Sequence, residues 1–331
     1  MMRITRTVSG VKLQAVLRVA RFVSGLSIVL LLINYVLLIR IWREPLTFIS
    51  DEKYFNKTLA KILRPRWSGS SGHSQVGDFL IEELQDLGFI ALRDELFDEK
   101  IFTNFLGIMN TDASSFLLLS CHYDSKFLKN AANYVGATDG AVSCAILLNM
   151  ARTLAPYLRG EFSKRDDIGL LLVFFDGHES LNEVEEDFNS LNGSRRFAEV
   201  ETIPLKNIEL VVTLNLIGAP NHIYMSHYED TFLWHNRLAN IEGDLQKAGK
   251  LTKCHKLFHS LKDHESDIED DHYPFLEEGV PVLHIVPHTF PDAWHTEGDN
   301  FKSLHWPTIR NMNAIIPRFV YEFLKTNRET G

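Results

Sequence analysis

The chain has 331 residues, 45% hydrophobic and 23% charged, a composition that fits a globular protein of one large or two ordinary domains. Its charge is uneven: the whole carries −9, while the first 43 residues hold seven basic residues and no acid, so the remainder carries −16. A domain that acidic repels phosphate backbones, and no basic stripe interrupts it, which excludes nucleic acid as a partner.

In chain order, Arg3, Arg6, Lys12, Arg18 and Arg21 precede an uncharged apolar run from Phe22 to Ile39, and Arg40 and Arg43 follow it. The run is near the ~20 residues that cross a hydrocarbon core. Tyr35 and Trp42 lie toward one interface, and the basic excess on the amino-terminal side orients that side to the cytosol. The expectation is a basic cytosolic tail over 1–21, a transmembrane signal anchor over 22–42 and a lumenal domain over 44–331. That is a single-pass type II protein of the secretory pathway. A cleaved signal peptide, giving a secreted protein, is one alternative, although Arg40-Ile41-Trp42-Arg43 offers no small-x-small cleavage site. A mitochondrial presequence is another, although such segments are amphipathic and this one is apolar all round. In a lumenal domain Asn56-Lys57-Thr58 and Asn192-Gly193-Ser194 are glycosylation sequons, with Asn56 and Asn192 as acceptors.

Residues 44–72 are polar, with Pro45 and Pro65, and are expected to form a connecting segment and a loop. From His73 to Leu87 the apolar residues Val76, Phe79, Leu80, Leu84 and Leu87 fall at helical spacing, and Gly88 ends the pattern. Two or three strands are expected over 89–121 and a largely apolar helix over Gly140–Leu158. Then come a buried strand over Ile168–Phe175, a short helix over Gly193–Val200 and a strand over Glu209–Ile217. A helix over Asp230–Ala248, a strand over Val280–Pro287 and an amphipathic helix over Pro307–Lys325 close the chain. Strands alternating with helices predict an α/β fold: a mixed, mainly parallel central sheet with helices on both faces.

Three strand ends carry chemistry. Ile168–Phe175 runs into Asp176-Gly177-His178-Glu179, and Phe116–Cys121 runs into His122-Tyr123-Asp124-Ser125, with Asp139 following in Gly136-Ala137-Thr138-Asp139-Gly140. Pro281–Pro287 is followed by Trp294-His295-Thr296. Acid, acid and imidazole delivered from separate strand ends suit one zinc ion. Cys121 ends a strand and Cys144 lies in the next helix. An oxidising compartment lets them pair and leaves Cys254 alone; three buried thiols is the other reading.

The blocks Cys121-His122-Tyr123-Asp124-Ser125-Lys126, Gly136-Ala137-Thr138-Asp139 and Phe174-Phe175-Asp176-Gly177 resemble those of the animal glutaminyl-peptide cyclotransferases, relatives of the zinc aminopeptidases. So do Gly193-Ser194-Arg195, Leu216-Ile217-Gly218-Ala219-Pro220, Asp270-Asp271-His272-Tyr273-Pro274-Phe275 and Trp294-His295-Thr296. The likeness runs from about residue 50 to the end, with the blocks in family order. It implies an α/β zinc aminopeptidase-like fold with a single zinc held by Asp139, Glu179 and His295. It also implies a Cys121–Cys144 disulfide, a role in the site for Asp270, and a substrate pocket of Ile268, His284, Phe290 and Trp294. The implied reaction is closure of an amino-terminal glutamine of peptides or proteins to pyroglutamate, with release of ammonia. Membrane-anchored Golgi forms occur in that family, which matches the amino terminus.

The catalytic positions depart from the pattern. A general-base carboxylate belongs immediately before Glu179, where this chain has His178, and an aspartate belongs where Asn215 stands. A pocket tryptophan also has no counterpart in Asn182-Glu183-Val184-Glu185-Glu186. Histidine accepts a proton only by becoming a cation beside a cation, or it can fill the open metal position; Asn215 cannot take a proton. Two readings follow: a cyclotransferase slowed or altered at His178, Asn215 and Asp270, and a zinc-containing homologue that only binds peptide amino termini. A zinc aminopeptidase is a third. His122 and Asp124 resemble the second-metal and pocket positions of those peptidases, but Asn215 replaces the aspartate that a second zinc there needs.

Overall fold

The computed structural model describes residue 18 and residues 21–34, 46–97, 101–179, 190–264 and 268–326. The chain divides into two units, 1–46 and 47–331. In the first, helix α1 (Arg21–Asn34) is apolar and leaves Phe22, Val23, Leu26 and Ile28–Ile33 exposed. Its described stretch accounts for roughly 21 Å at 1.5 Å per residue, out of the ~30 Å of a hydrocarbon core. Residues 35–42 of the expected span, with Tyr35 and Trp42, lie outside the described residues. Among the described residues, the helical segment Ala137–Arg159 is the one long and apolar enough to cross a membrane, and its apolar stretch is 72% buried within the second unit.

The second unit is built on six strands in the order β1-β2-β4-β3-β5-β8. These are β1 (Ile90–Phe97), β2 (Ile101–Met109), β3 (Ser115–His122), β4 (Ile168–Phe175), β5 (Ile208–Leu214) and β8 (Val282–Ile285). β1 and β2 pair antiparallel at one edge, and β4, β3, β5 and β8 are parallel. Alternate side chains leave a strand on opposite faces, so β3 and β4 feed two cores. Leu117, Leu119, Leu170 and Leu172 pack beneath helices α2 (Glu52–Ile62), α3 (Ser71–Asp86), α4 (Val142–Arg159), α6 (Phe232–Lys247) and α8 (Trp306–Lys325). Leu118, Leu171, Val173 and Phe175 pack with Phe197 of α5 (Asn192–Glu199) and Phe275 of α7 (Tyr273–Glu277). Every residue of β4 is buried, as a central strand covered on both faces requires.

The expected mixed sheet with helices on both faces is therefore the observed architecture. One expectation fails: residues 44–72 contain helix α2. Its signals are short but present. Phe55, Leu59 and Ile62 share a buried face, and the Asp51 carboxylate accepts the Tyr54 amide at 2.9 Å as an amino-terminal cap. Pro45 and Pro65 bracket the helix without entering it. A two-stranded sheet of β6 (Tyr224–Ser226) and β7 (Phe258–Lys262) carries no sequence mark, because strands of three and five residues are too short to show a clear periodicity. The strand expected to reach Ile217 ends at Leu214, and Leu216 takes a left-handed φ of 54°.

Candidate metal centre and proton relay

The parallel strands end level, with His122 opposite Phe175 and Thr213 opposite His284. Their carboxyl ends form the crevice where open α/β sheets bind ligands. β3 delivers His122 and Asp124, β4 delivers His178 and Glu179, and β5 delivers Asn215. Asp139 comes from the irregular turn Ala137–Ala141 that opens α4, with φ −87° and ψ 79°. Gly140 follows at φ 92°, and a Cβ there would sit 2.6 Å from the His122 carbonyl oxygen and 2.9 Å from its ring. Only glycine lets that turn lie against His122.

Asp139, Glu179 and His295 each offer one ligand atom, all within 4.8 Å of one another. His295 Nε2 is 3.2 Å from Glu179 Oε1 and 3.5 Å from Asp139 Oδ2. Two carboxylates and one imidazole at such spacing suit a four-coordinate divalent ion with one position open. The residues around them hold the donors in place. Tyr134 donates its hydroxyl to Asp139 Oδ2 at 2.6 Å, and the Glu179 amide donates to Asp124 Oδ2 at 2.9 Å. The Lys126 ammonium lies 3.5 Å from Glu179 Oε2. Burial works against charge throughout the cluster. Even so, the carboxylates of Asp139 and Glu179 outweigh it at His295, raising its pKa to about 9. Burial likewise favours neutral Asp139, and His122 and His295 outweigh it, holding that carboxyl well below its usual range. His295 itself has a left-handed φ of 54°, backbone strain of the kind that collects at ligand sites.

His178 does not join this group. Its Nδ1 lies 3.1 Å from Asp271 Oδ2 and 3.5 Å from Asp270 Oδ1, and its ring stacks on His122 at 3.9 Å. The expectation that it could fill the open metal position is therefore corrected: two buried carboxylates draw it the other way. Burial and His122 push its pKa down, but Asp271 and Asp270 prevail and raise it to about 9. Asn215 links the two halves of the site. Its Oδ1 lies 3.2 Å from His122 Nε2, and its Nδ2 donates to Asp270 Oδ2 at 3.0 Å. His284 Nε2 meets the same Asp270 oxygen at 2.7 Å.

Of the pocket residues, Trp294 stacks on the His295 ring at 3.8 Å, and Phe290 meets Trp294 edge-on at 4.9 Å. Both are 38% exposed, as walls of an opening are and core aromatics are not. Ile268 is half-buried just before Asp270, and His284 is buried beneath it. Residues 182–186, which lack the pocket tryptophan of the family pattern, lie outside the described residues. The disulfide expectation meets a different arrangement: Cys121 and Cys144 are free buried thiols, and the Cys144 thiol donates to the His122 carbonyl at 3.1 Å. Asn56 is exposed. Asn192 is half-buried and spends its amide on the Gly177 carbonyl at 3.2 Å, so its sequon is poorly placed to carry a glycan.

Sequence reasoning missed the framework. Arg66 is fully buried and donates to the carbonyls of Tyr123 at 2.6 Å, Gly136 and Asp139 at 3.1 Å, and Val135. Asp299 accepts the Thr138 amide at 2.8 Å and the Asp139 amide at 3.1 Å. Asp176 accepts from Ser68 and the Gly177 amide and bonds His73, each at 2.8 Å. No motif flags Arg66 or Asp299, and the motif that contains Asp176 gives no hint of its partners, because each acts on backbone or side chains brought together by the fold.

His227 is also new. It is 5% exposed, and neither ring nitrogen has a hydrogen-bond partner. Burial, then His284, lowers its pKa from 6.5 to about 4. Between those values the unfolded chain binds a proton that the folded one refuses, so stability falls as pH drops from 6.5 toward 4. His227→Phe is expected to remove that dependence. At pH 5 it should recover about 2 kcal/mol of the loss measured from pH 7, read from denaturant unfolding at both pH values. An unchanged acid limb would remove His227 as its cause.

Comparison with known proteins adds an independent line. Residues 104–320 match Peptidase family M28. The glutaminyl-peptide cyclotransferase of Drosophila melanogaster is 35% identical over 299 residues, covering 85% of this chain and 83% of that protein. The glutaminyl-peptide cyclotransferase-like protein of Bos taurus is 35% identical over 295 residues, covering 83% and 76%. The crystal structure of Macrostomum lignano glutaminyl cyclase superposes with a TM-score of 0.76 at 28% identity, covering 85% of this chain and 91% of that one. A Zn-dependent exopeptidase from Parabacteroides distasonis shares the fold, with a TM-score of 0.66 at 21% identity over 83% of this chain and 96% of that one.

Proposed function

The chain belongs to the glutaminyl-peptide cyclotransferases within peptidase family M28, and on that footing we propose that it cyclises amino-terminal glutamine with His178 as its proton carrier. The peptide's α-amine attacks the γ-carbonyl carbon, the side-chain carbon–nitrogen bond breaks, and ammonia leaves. A zinc ion held by Asp139, Glu179 and His295 would polarise the γ-carbonyl oxygen. The amine loses a proton as its new bond forms, and the departing nitrogen gains one. One group that accepts and returns that proton serves both steps.

The observation that carries this reading is the seat of His178. An imidazole that takes a proton becomes a cation, which a neighbouring divalent ion opposes, so a bound ion would lower the His178 pKa from about 9 and make its neutral, proton-accepting form available. Here Asp271 and Asp270, at 3.1 and 3.5 Å, offset that charge. Asp271 also holds Nδ1, which leaves Nε2 for the substrate. Asn215 moves no proton; it ties His122 to Asp270 and so fixes the floor under the relay. Trp294 and Phe290, with Ile268, make the apolar wall for the glutamine side chain, and His284 holds Asp270 beneath it.

The test is ammonia release from a glutaminyl peptide by the full chain reconstituted with zinc. Release that a chelator stops supports the reading. Binding of the peptide without release would instead make the chain a binder of peptide amino termini.

The amino terminus supports a membrane-anchored, lumenal placement in the Golgi or another secretory compartment, with residues 22–42 as anchor. Under oxidation there, Cys121 and Cys144 would be the pair to close. Of the two sequons, Asn56 is the accessible acceptor. Expressed in a secretory-pathway host, the full chain is expected to shift on endoglycosidase treatment, and Asn56→Gln to abolish the shift. A wild-type chain that does not shift counts against a lumenal domain.

A further inference from the structure

Beside the Asp139–Glu179–His295 cluster stands a second cluster with nearly the same donors at nearly the same spacing. His178 Nδ1 lies 3.1 Å from Asp271 Oδ2 and 3.5 Å from Asp270 Oδ1, against 3.2 and 3.5 Å around His295 Nε2. In both trios all ligand atoms fall within 4.8 Å of one another. Ligands bound at about 2.0–2.1 Å around a tetrahedral ion stand roughly 3.3–3.4 Å apart, so the spacing is that of a metal seat.

The surroundings are also those of a metal site. Ligating carboxylates are oriented by outer hydrogen bonds. Asp270 Oδ2 meets His284 Nε2 at 2.7 Å and accepts Asn215 Nδ2 at 3.0 Å, while its Oδ1 accepts the Asp271 amide at 2.7 Å. Asp271 is fully buried, yet its Oδ1 has no hydrogen-bond partner. A buried carboxylate oxygen left without a donor is costly, and a cation relieves that cost. These residues are not the His122–Asp139–Asn215 side of the crevice, where the neutral Asn215 weakens any second site.

We propose that His178, Asp270 and Asp271 form a second seat for a divalent transition-metal ion of the zinc class. The ion occupies the Nδ1 lone pair, so it and the His178–Asp271 hydrogen bond exclude each other. Resting on the relay proposed above, occupancy of this seat inhibits turnover.

The experiment takes the full chain, stripped with a chelator and titrated with zinc alone, with stoichiometry read by elemental analysis and isothermal titration. Two equivalents are expected in the wild type, the second lowering ammonia release. His178→Phe and Asp271→Asn should each bind one, with the affinity of the remaining ion unchanged, which also reports an intact fold. A single equivalent in the wild type overturns the second seat, as does a second equivalent that persists in either variant. One equivalent with turnover loses the second seat and keeps the cyclotransferase relay. Two equivalents without turnover do the reverse.

Discussion

His178→Ala is expected to lower the rate of ammonia release by about 10²–10⁴-fold, the usual contribution of general acid–base catalysis. The ion at Asp139, Glu179 and His295 should be retained, because His178 touches none of those ligand atoms in the cluster they form. The substrate's KM should change little, since the imidazole is assigned to the proton and not to the glutamine side chain. The informative partner is His178→Glu with Asn215→Asp, which restores both carboxylates of the family pattern. Turnover by the wild type and by this double variant, but not by His178→Ala, means that imidazole and carboxylate fill one role. Turnover by the double variant alone would mean a pocket intact but idle in the native chain. Retention of wild-type rate in His178→Ala would remove His178 from the relay altogether.

Arg66→Ala is expected to be the most destabilising single change in the second unit, by about 4 kcal/mol. The estimate follows from the fate of its partners. Arg66 donates to the carbonyls of Tyr123, Val135, Gly136 and Asp139, and no carboxylate neutralises it among the described ion pairs. Each buried acceptor left without a donor costs about 1–3 kcal/mol, and some of the four would recover water. The thermal midpoint should fall by roughly 10 °C, read by calorimetry. The same carbonyls fix the turn that presents Asp139, so zinc affinity should fall together with stability. A variant that melts at the wild-type temperature would show that the guanidinium is not what holds this turn.

How far the sequence could be read depended on where the signal lay. Ile168–Phe175 was legible to the residue because eight apolar residues in succession, ended by Asp176-Gly177, admit little but a buried strand. Acid and imidazole at strand ends stand out from the apolar background, and the resemblance picked Asp139, Glu179 and His295 from among them, which the fold brings within 4.8 Å of one another. Glu52–Ile62 was not legible, since two prolines and many charges masked a single buried stripe. Asp271 was passed over as half of an acidic pair, because nothing in Asp270-Asp271 tells which carboxylate turns toward His178.

The amino-acid order alone determined the fold class, the succession of strands and helices, and the presence of acids and an imidazole at the strand ends, with the resemblance singling out Asp139, Glu179 and His295. Those follow from local periodicity and from residue chemistry at strand ends, which are written along the chain. Only the tertiary structure decided what surrounds His178. A histidine beside a metal ligand reads as a liability in sequence. What relieves it, Asp270 and Asp271, lies some ninety residues away and is brought within 3.1 to 3.5 Å by the folding of the α7 loop against the end of β4. Electrostatic compensation depends on distance through space, and that distance has no signature in the order of residues.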